Sequence, residues 1–153
     1  MAGHSRQQWK DLVTGYFDAV MREDFADVLN RFTARAVITI IHGDNPMQVF
    51  ERAGGEGTRP FEEFYGHLRD NYVVRFEDLH CVIDAEGDSA AAIFAPMLNP
   101  KPGSPYSAQG PLALRNCNFF WFADGRIDRM LIYYAQPGSA ADAAMRPTPF
   151  PRA

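Results

Sequence analysis

Four kinds of side chain in this sequence could hold an organic ligand and work on it. His42 follows Ile40 by two residues at the end of the run Ala36-Val37-Ile38-Thr39-Ile40-Ile41-His42. Residues two apart on a strand share a face, so a cavity that meets Ile40 would also meet His42. An imidazole, which ordinarily titrates near ~6.5, suits a general base at neutral pH. Asp44, in the turn sequence Gly43-Asp44-Asn45-Pro46, could orient that ring or act as the base itself. Asn116 and Asn118 share a face with Leu114, Phe120 and Phe122. Two carboxamides on an otherwise apolar strand face are costly unless satisfied, and could bind a ligand oxygen, each other or a buried water. Tyr16 and Tyr65 fall within helical stripes, where a tyrosine is either a plain core aromatic or a hydroxyl donor.

The elements that must carry these groups follow from periodicity. Trp9, Leu12, Val13, Tyr16, Phe17 and Val20 predict one buried stripe of a first helix. Asp24 is placed to cap a second, with Phe25, Val28, Leu29 and Phe32 on one face. The β-branched run 36–42 reads as a strand buried on both faces. Residues 47–57 read as a loop, because Gly54-Gly55-Glu56-Gly57 opposes any regular element. A third helix starts near Thr58-Arg59-Pro60, and its stripe is Phe61, Phe64, Tyr65, Leu68 and Tyr72. Beyond Val73 the pattern is that of strands. Leu79, Cys81 and Ile83 alternate with Asp78, His80 and Val82, Glu86-Gly87-Asp88 turns the chain, and 90–98 returns. Residues 99–111 hold Pro100, Pro102, Pro105 and Pro111 and read as an extended loop. Segments 112–122 and 127–135 flank Ala123-Asp124-Gly125-Arg126, a hairpin turn. Met130, Ile132 and Tyr134 alternate on the last strand and would line a wall. The fold class is therefore α+β, three helices packed on a curved, mainly antiparallel sheet. One domain spans 1–136, and 137–153 is an Ala/Pro-rich tail.

These residues resemble the NTF2-like superfamily of cone-shaped α+β barrels, which includes the SnoaL-like cyclases and the ketosteroid isomerases. The likeness covers roughly 6–136. Tyr16-Phe17-Asp18-Ala19-Val20 through Gly43 is similar to the isomerases' helix–helix–strand opening. Gly57-Thr58 and the later Phe64-Tyr65 look like their third-helix start, and Phe120-Trp121-Phe122-Ala123-Asp124-Gly125-Arg126-Ile127 like the superfamily's strand–turn–strand ending. The resemblance implies that Tyr16 is an oxyanion donor supported by Tyr65, and that Asn118 stands where a protonated Asp completes the oxyanion hole. It places Ile40 where the isomerases carry their base, which leaves His42 or Asp44 to take the proton. It also implies an apolar pocket, with Tyr65, Ile40, Phe64, Asn116, Phe120, Met130, Ile132 and Tyr134 against the substrate. The expected substrate is an apolar, polyketide- or steroid-like molecule with a carbonyl or enol, and the expected reaction is isomerisation, cyclisation or dehydration without a cofactor. Two alternatives share the fold: a module that binds without turnover, and an epoxide hydrolase of the limonene type, for which Arg115 and Asp128 would have to enter the cavity.

Composition bounds the partners. The chain has 153 residues, 46% hydrophobic, with a formal net charge of -4. An acidic protein without a clustered basic face is not expected to bind nucleic acid through phosphates. Its apolar runs are far shorter than the roughly 20 residues of a membrane span, and its first residues lack a secretory h-region. A cytoplasmic location is expected, with Cys81 and Cys117 as reduced core residues. No His, Cys, Asp or Glu spacing suggests a metal site, and His67 and His80 read as solvated. Val37, Thr39 and Ile41, with Cys117, Phe119 and Trp121, would leave a second apolar sheet face, so a homodimer is expected.

Overall fold

The computed structural model describes residues 5–84 and 87–135. Helix α1, Arg6–Met21, opens on a capping box: the Ser5 hydroxyl accepts from the Gln8 N–H, and the Ser5 N–H donates to Gln8 Oε1 at 2.6 Å. Its stripe buries Trp9, Val13, Tyr16, Phe17 and Val20 as expected. The Asp24 carboxylate accepts from the Asp27 N–H and caps α2, Phe25–Asn30. Phe32 does not extend that helix. It begins β1, Phe32–Ile41, fully buried as the chain turns under α1.

Strand β1 buries Ala36, Ile38 and Ile40 on one face and leaves Val37, Thr39 and Ile41 half-covered on the other. The expectation of a strand buried on both faces is corrected accordingly. The β-branched residues on the outer face keep the backbone extended without being core. A second correction falls in 47–57, where Gln48–Glu51 forms a short edge strand, β2, antiparallel to β1, with Phe50 buried. Helix α3, Phe61–Asn71, begins directly after Pro60.

From α3 the chain enters the hairpin of β3, Tyr72–Ile83, and β4, Ser89–Pro100. The pairing shifts between Glu77 and His80, where Asp78 has a φ of 55°. Of the expected Glu86-Gly87-Asp88 turn, Glu86 lies outside the described residues. The expected loop 99–111 starts later than foreseen, since β4 runs through Pro100. It holds a single 3-10 turn at Ser107–Gln109 before the two-residue β5, Leu112–Ala113, which pairs with β4. Strands β6, Arg115–Ala123, and β7, Arg126–Ala135, meet at the expected turn. Asp124 and Gly125 both take positive φ, 53° and 72°, as a tight two-residue hairpin loop demands. The tail 137–153 lies outside the described residues.

The sheet order is β2-β1-β7-β6-β4-β3, antiparallel throughout except for the parallel pair β1–β7. This is an α+β cone with the helices on the concave side. Phe17 fixes α1 there, meeting Phe94 edge-on at 4.6 Å and Phe76 at 5.1 Å. Trp9 stacks on Phe122 at 4.3 Å. Cys81 and Cys117 are free thiols, half-buried rather than core, and burial raises both above the usual thiol range. Among the described residues no helix is long and apolar enough to cross a membrane. Because Phe17 is the contact that docks α1, Phe17→Ala is expected to cost ~3–5 kcal/mol of stability, read from urea unfolding.

Candidate active site

Where the cone opens, α1, α3 and the concave sheet face enclose a cavity of about 800 Å³. That suits a multi-ring organic molecule. Its inner wall is apolar, from residues such as Phe17, Ile40, Phe94 and Ile132, and its rim is charged, from Arg59, Glu62, Glu63, Arg69 and Asp70. Polar groups of the lining include Tyr16 of α1, Tyr72 of β3, Asn116 and Asn118 of β6, and Tyr134 of β7.

Helical periodicity puts Tyr16 beside Phe17 but aims it at α3, where its hydroxyl meets that of Tyr65 at 3.0 Å. Both rings are buried. Tyr65 does not line the cavity; it stands behind Tyr16, which corrects its expected place on the substrate wall. Burial pushes both hydroxyls above their ordinary range, and the bond from Tyr65 partly offsets this for Tyr16 while raising Tyr65 further. Either hydroxyl can donate in this pair, and when Tyr65 does, the Tyr16 O–H is left to point into the cavity.

Asn118 is 2% exposed. Its Nδ2 donates to Met130 Sδ at 3.7 Å, a weak acceptor, and its Oδ1 has no partner in the protein. Asn116, one step toward the rim, also has a buried Oδ1 without a partner. Phe120 and Met130, expected on the wall, are fully buried and do not line the cavity. Phe120 packs under Tyr16 and Phe17, both at 6.1 Å, and Met130 lies beneath Asn118. Ile40, Phe64, Ile132 and Tyr134 do line it.

His42 does not. Strand β1 ends at Ile41, so the alternation that would carry His42 inward stops one residue short. The ring stacks on Tyr134 instead, centroids 4.1 Å apart and planes 18° off parallel, with Nδ1 3.1 Å from Asn45 Nδ2. Asp44 is exposed in the following turn and also off the cavity. His67, read as solvated, is exposed but sits on the rim, its Nδ1 3.4 Å from Asn71 Nδ2. The rim pair of Gln48 and Arg59 was invisible in the sequence. Arg59 bonds Gln48 at 3.0 Å and Glu63 at 2.7 Å and lies over the Phe50 ring. Neither Arg115 nor Asp128 lines the cavity. Arg115 is exposed, and Asp128 is held by Thr33 and Arg35 at 2.6 and 3.0 Å.

The SnoaL-like domain, as a family, matches residues 13–130, from α1 into β7. The chain belongs to the SnoaL-like domain family. No curated protein matches it. Among solved structures, a candidate polyketide cyclase from Xanthomonas campestris pv. campestris is similar at 22% identity, with 85% of this chain and 92% of that one covered and a TM-score of 0.67. PrhC from Penicillium brasilianum is 12% identical over 93% of this chain and 87% of its own, with a TM-score of 0.69. SalBIII, an epoxide hydrolase/cyclase-like enzyme of pyran ring formation in salinomycin, is 20% identical over 84% and 91%, with a TM-score of 0.63. At such identities these likenesses show the fold.

The buried hydroxyl pair makes stability in this SnoaL-like domain depend on alkali. Tyrosine ordinarily ionises at 10.0 and both folded values are raised, so the unfolded chain loses its protons first. The stability gained by keeping both phenols neutral is full below pH 10 and is lost as pH rises through the raised values. Unfolding free energy is expected to fall between about pH 10 and 11, with a shallower fall in Tyr65→Phe, measured by urea unfolding at each pH.

Proposed function

We propose that this SnoaL-like protein is a cofactor-independent enzyme that takes an apolar, polyketide- or steroid-like ligand carrying a carbonyl or enol. It polarises that oxygen and removes a proton from the neighbouring carbon, so that isomerisation, cyclisation or dehydration follows. The observation that carries this reading is the buried Tyr16–Tyr65 pair, 3.0 Å apart, with Tyr16 on the wall of an apolar cavity. With Tyr65 donating to it, Tyr16 gives its own hydrogen bond to the ligand oxygen and strengthens that bond as charge develops there. Apolar walls exclude water, and the bond gains from the low local dielectric. Asn118 adds a second polar group on the same wall.

The proton acceptor in this reading is His42. Its ring lies against cavity-lining Tyr134, and the Asn45 amide lies 3.1 Å from Nδ1; with that amide turned so that its oxygen accepts the Nδ1 hydrogen, Nε2 is free to take the proton. His67 is placed on the rim, but the Asn71 amide faces its Nδ1 and is itself fixed by donating to the His67 carbonyl at 2.8 Å, so the neutral ring carries its hydrogen on Nε2. One observation favours the second reading, binding without turnover: among the described residues, Ile40 and the rest of the inner wall present no carboxylate or imidazole.

We also propose that two copies pair through the outer sheet face. Ile93, Phe119 and Tyr133 are 56%, 38% and 41% exposed and lie on adjacent strands. An exposed apolar face of this kind suits an identical face across a two-fold axis. Light scattering at micromolar concentration is expected to give the dimer mass, and Phe119→Lys the monomer mass.

Turnover of a panel of β,γ-unsaturated ketones and polyketide mimics tests the catalytic reading. Tyr16→Phe is expected to remain folded and to lower kcat by about 10²-fold or more. His42→Ala is expected to lower kcat by about 10²-fold or more while the protein remains folded. Ligands that bind without turnover would establish the second reading.

A further inference from the structure

The hydrogen-bonding capacity left over inside the cavity has a definite composition. The Tyr16–Tyr65 pair uses one of its two hydroxyl hydrogens between the rings, and Tyr16, the member that lines the cavity, is placed to turn the other toward a ligand. Asn116 and Asn118 each offer an acceptor, because the Oδ1 of each is buried with no protein donor in reach. The orientation of Asn118 is set by its Nδ2, which lies against Met130 Sδ. Sulfur accepts and has no hydrogen to give, so the carbonyl end of that amide faces away from it. A carbonyl on a ligand accepts from a hydroxyl, that of Tyr16 or of Tyr134 nearer the rim. It brings no hydrogen to the amide oxygens, and covering them with hydrocarbon would leave both desolvated and unpaired.

The two amides also differ in depth. Asn118 is 2% exposed and pairs in register with Ile132 and Ala92, while half-buried Asn116 pairs with Tyr134 and Phe94, one step nearer the rim. Successive inward residues of a strand are spaced by about 6–7 Å. A ligand whose carbonyl reaches Tyr16 thus passes Asn116 with a different part of its frame.

From this we infer that the ligand carries, besides its carbonyl, a hydroxyl on the edge that faces β6, and that Asn116 Oδ1 accepts the hydrogen of that hydroxyl and so selects hydroxylated ring systems over their bare counterparts. The inference rests on the proposed carbonyl-binding role of the cavity and names a feature of the substrate that this role leaves open. Asn116 acts here through binding and takes no part in proton transfer.

Two probes with the same carbon frame separate the possibilities: α-tetralone, with its single carbonyl, and the hydroxy-α-tetralone whose phenol lies diagonally across the fused rings. Titration calorimetry near neutral pH is expected to show the hydroxylated probe binding about tenfold more tightly to the wild-type protein, the effect of one buried hydrogen bond against an unpaired acceptor. Asn116→Leu, close in volume, is expected to abolish the preference and to bind α-tetralone at least as tightly as the wild-type protein does, since no acceptor is then left unpaired. Asn116→Asp keeps an acceptor at the same place and is expected to keep the preference, which guards against a Leu variant that folds poorly. A preference that survives in Asn116→Leu, or that is absent from the wild-type protein, overturns the inference while α-tetralone binding sustains the cavity's proposed role. Failure of both probes to bind overturns that role and this inference with it.

Discussion

The docking of α1 into the concave face of the sheet, through Phe17, is the contact on which the site depends. One ring meets Phe76 of β3, Phe94 of β4 and Phe120 of β6, so three strands are tied to one turn of helix. Tyr16 precedes it, and the roughly 100° rotation between successive helical residues turns the tyrosine away from those strands and toward α3. The same turn that anchors the helix thereby aims a hydroxyl at Tyr65. Neither ring has freedom to leave, since Tyr16 also packs edge-on against Phe32 at 5.6 Å. Catalytic hydroxyls need such fixation, because a donor that must reorganise loses much of its electrostatic effect.

The second constraint is the poverty of polar groups inside. Burying a phenol or a carboxamide among aromatic rings costs stability unless each hydrogen and lone pair finds a partner. Tyr65 meets that cost by bonding Tyr16. Asn116 and Asn118 meet it only in part, and a fold assembled for packing alone would place aliphatic residues there. On a strand that otherwise points Phe120 and Phe122 inward, packing alone does not account for these two amides. Charge is kept at the rim, where Arg59 is held by Glu63 and Gln48, and α3 supplies it from residues one or two turns apart.

Much of this was legible in the sequence, for physical reasons that differ by element. The stripe of α1, the cap at Asp24 and the Asp124-Gly125 turn are local, and local sequence determines them. Parity along β6 and β7 showed which residues face inward. It could not show how far each reaches. Asn118 and Phe120 share a face, yet one lines the cavity and the other is sealed beneath α1, because the helix crosses the sheet at an angle that no strand pattern encodes. Strand β2 escaped notice because a four-residue edge strand with one partner needs little pattern of its own. His42 stops short of the cavity wall for a different reason. Alternation holds only while the strand continues, and Gly43, at a φ of 54°, belongs to the turn that ends it. The rim was beyond reach, since Gln48, Arg59 and His67 converge only through the packing of β2 against α3.

Strand β6 sets the site's position from both sides. Asn116 and Asn118 point inward while Cys117, Phe119 and Trp121 point outward, and every one of them is pinned by ladder bonds to β4 on one edge and β7 on the other. On the outer face Arg129 lies over Trp121 at 3.9 Å, which covers part of the apolar surface and leaves Phe119 and Tyr133 uncovered. A central strand in a six-strand path cannot shift by one residue without sending its amides outward and its aromatics into the cavity. The outer face, the inner wall and the register are thus one constraint. An apolar outer face costs the isolated chain exposure to water, and the same alternation that imposes it holds the two amides where a ligand can reach them.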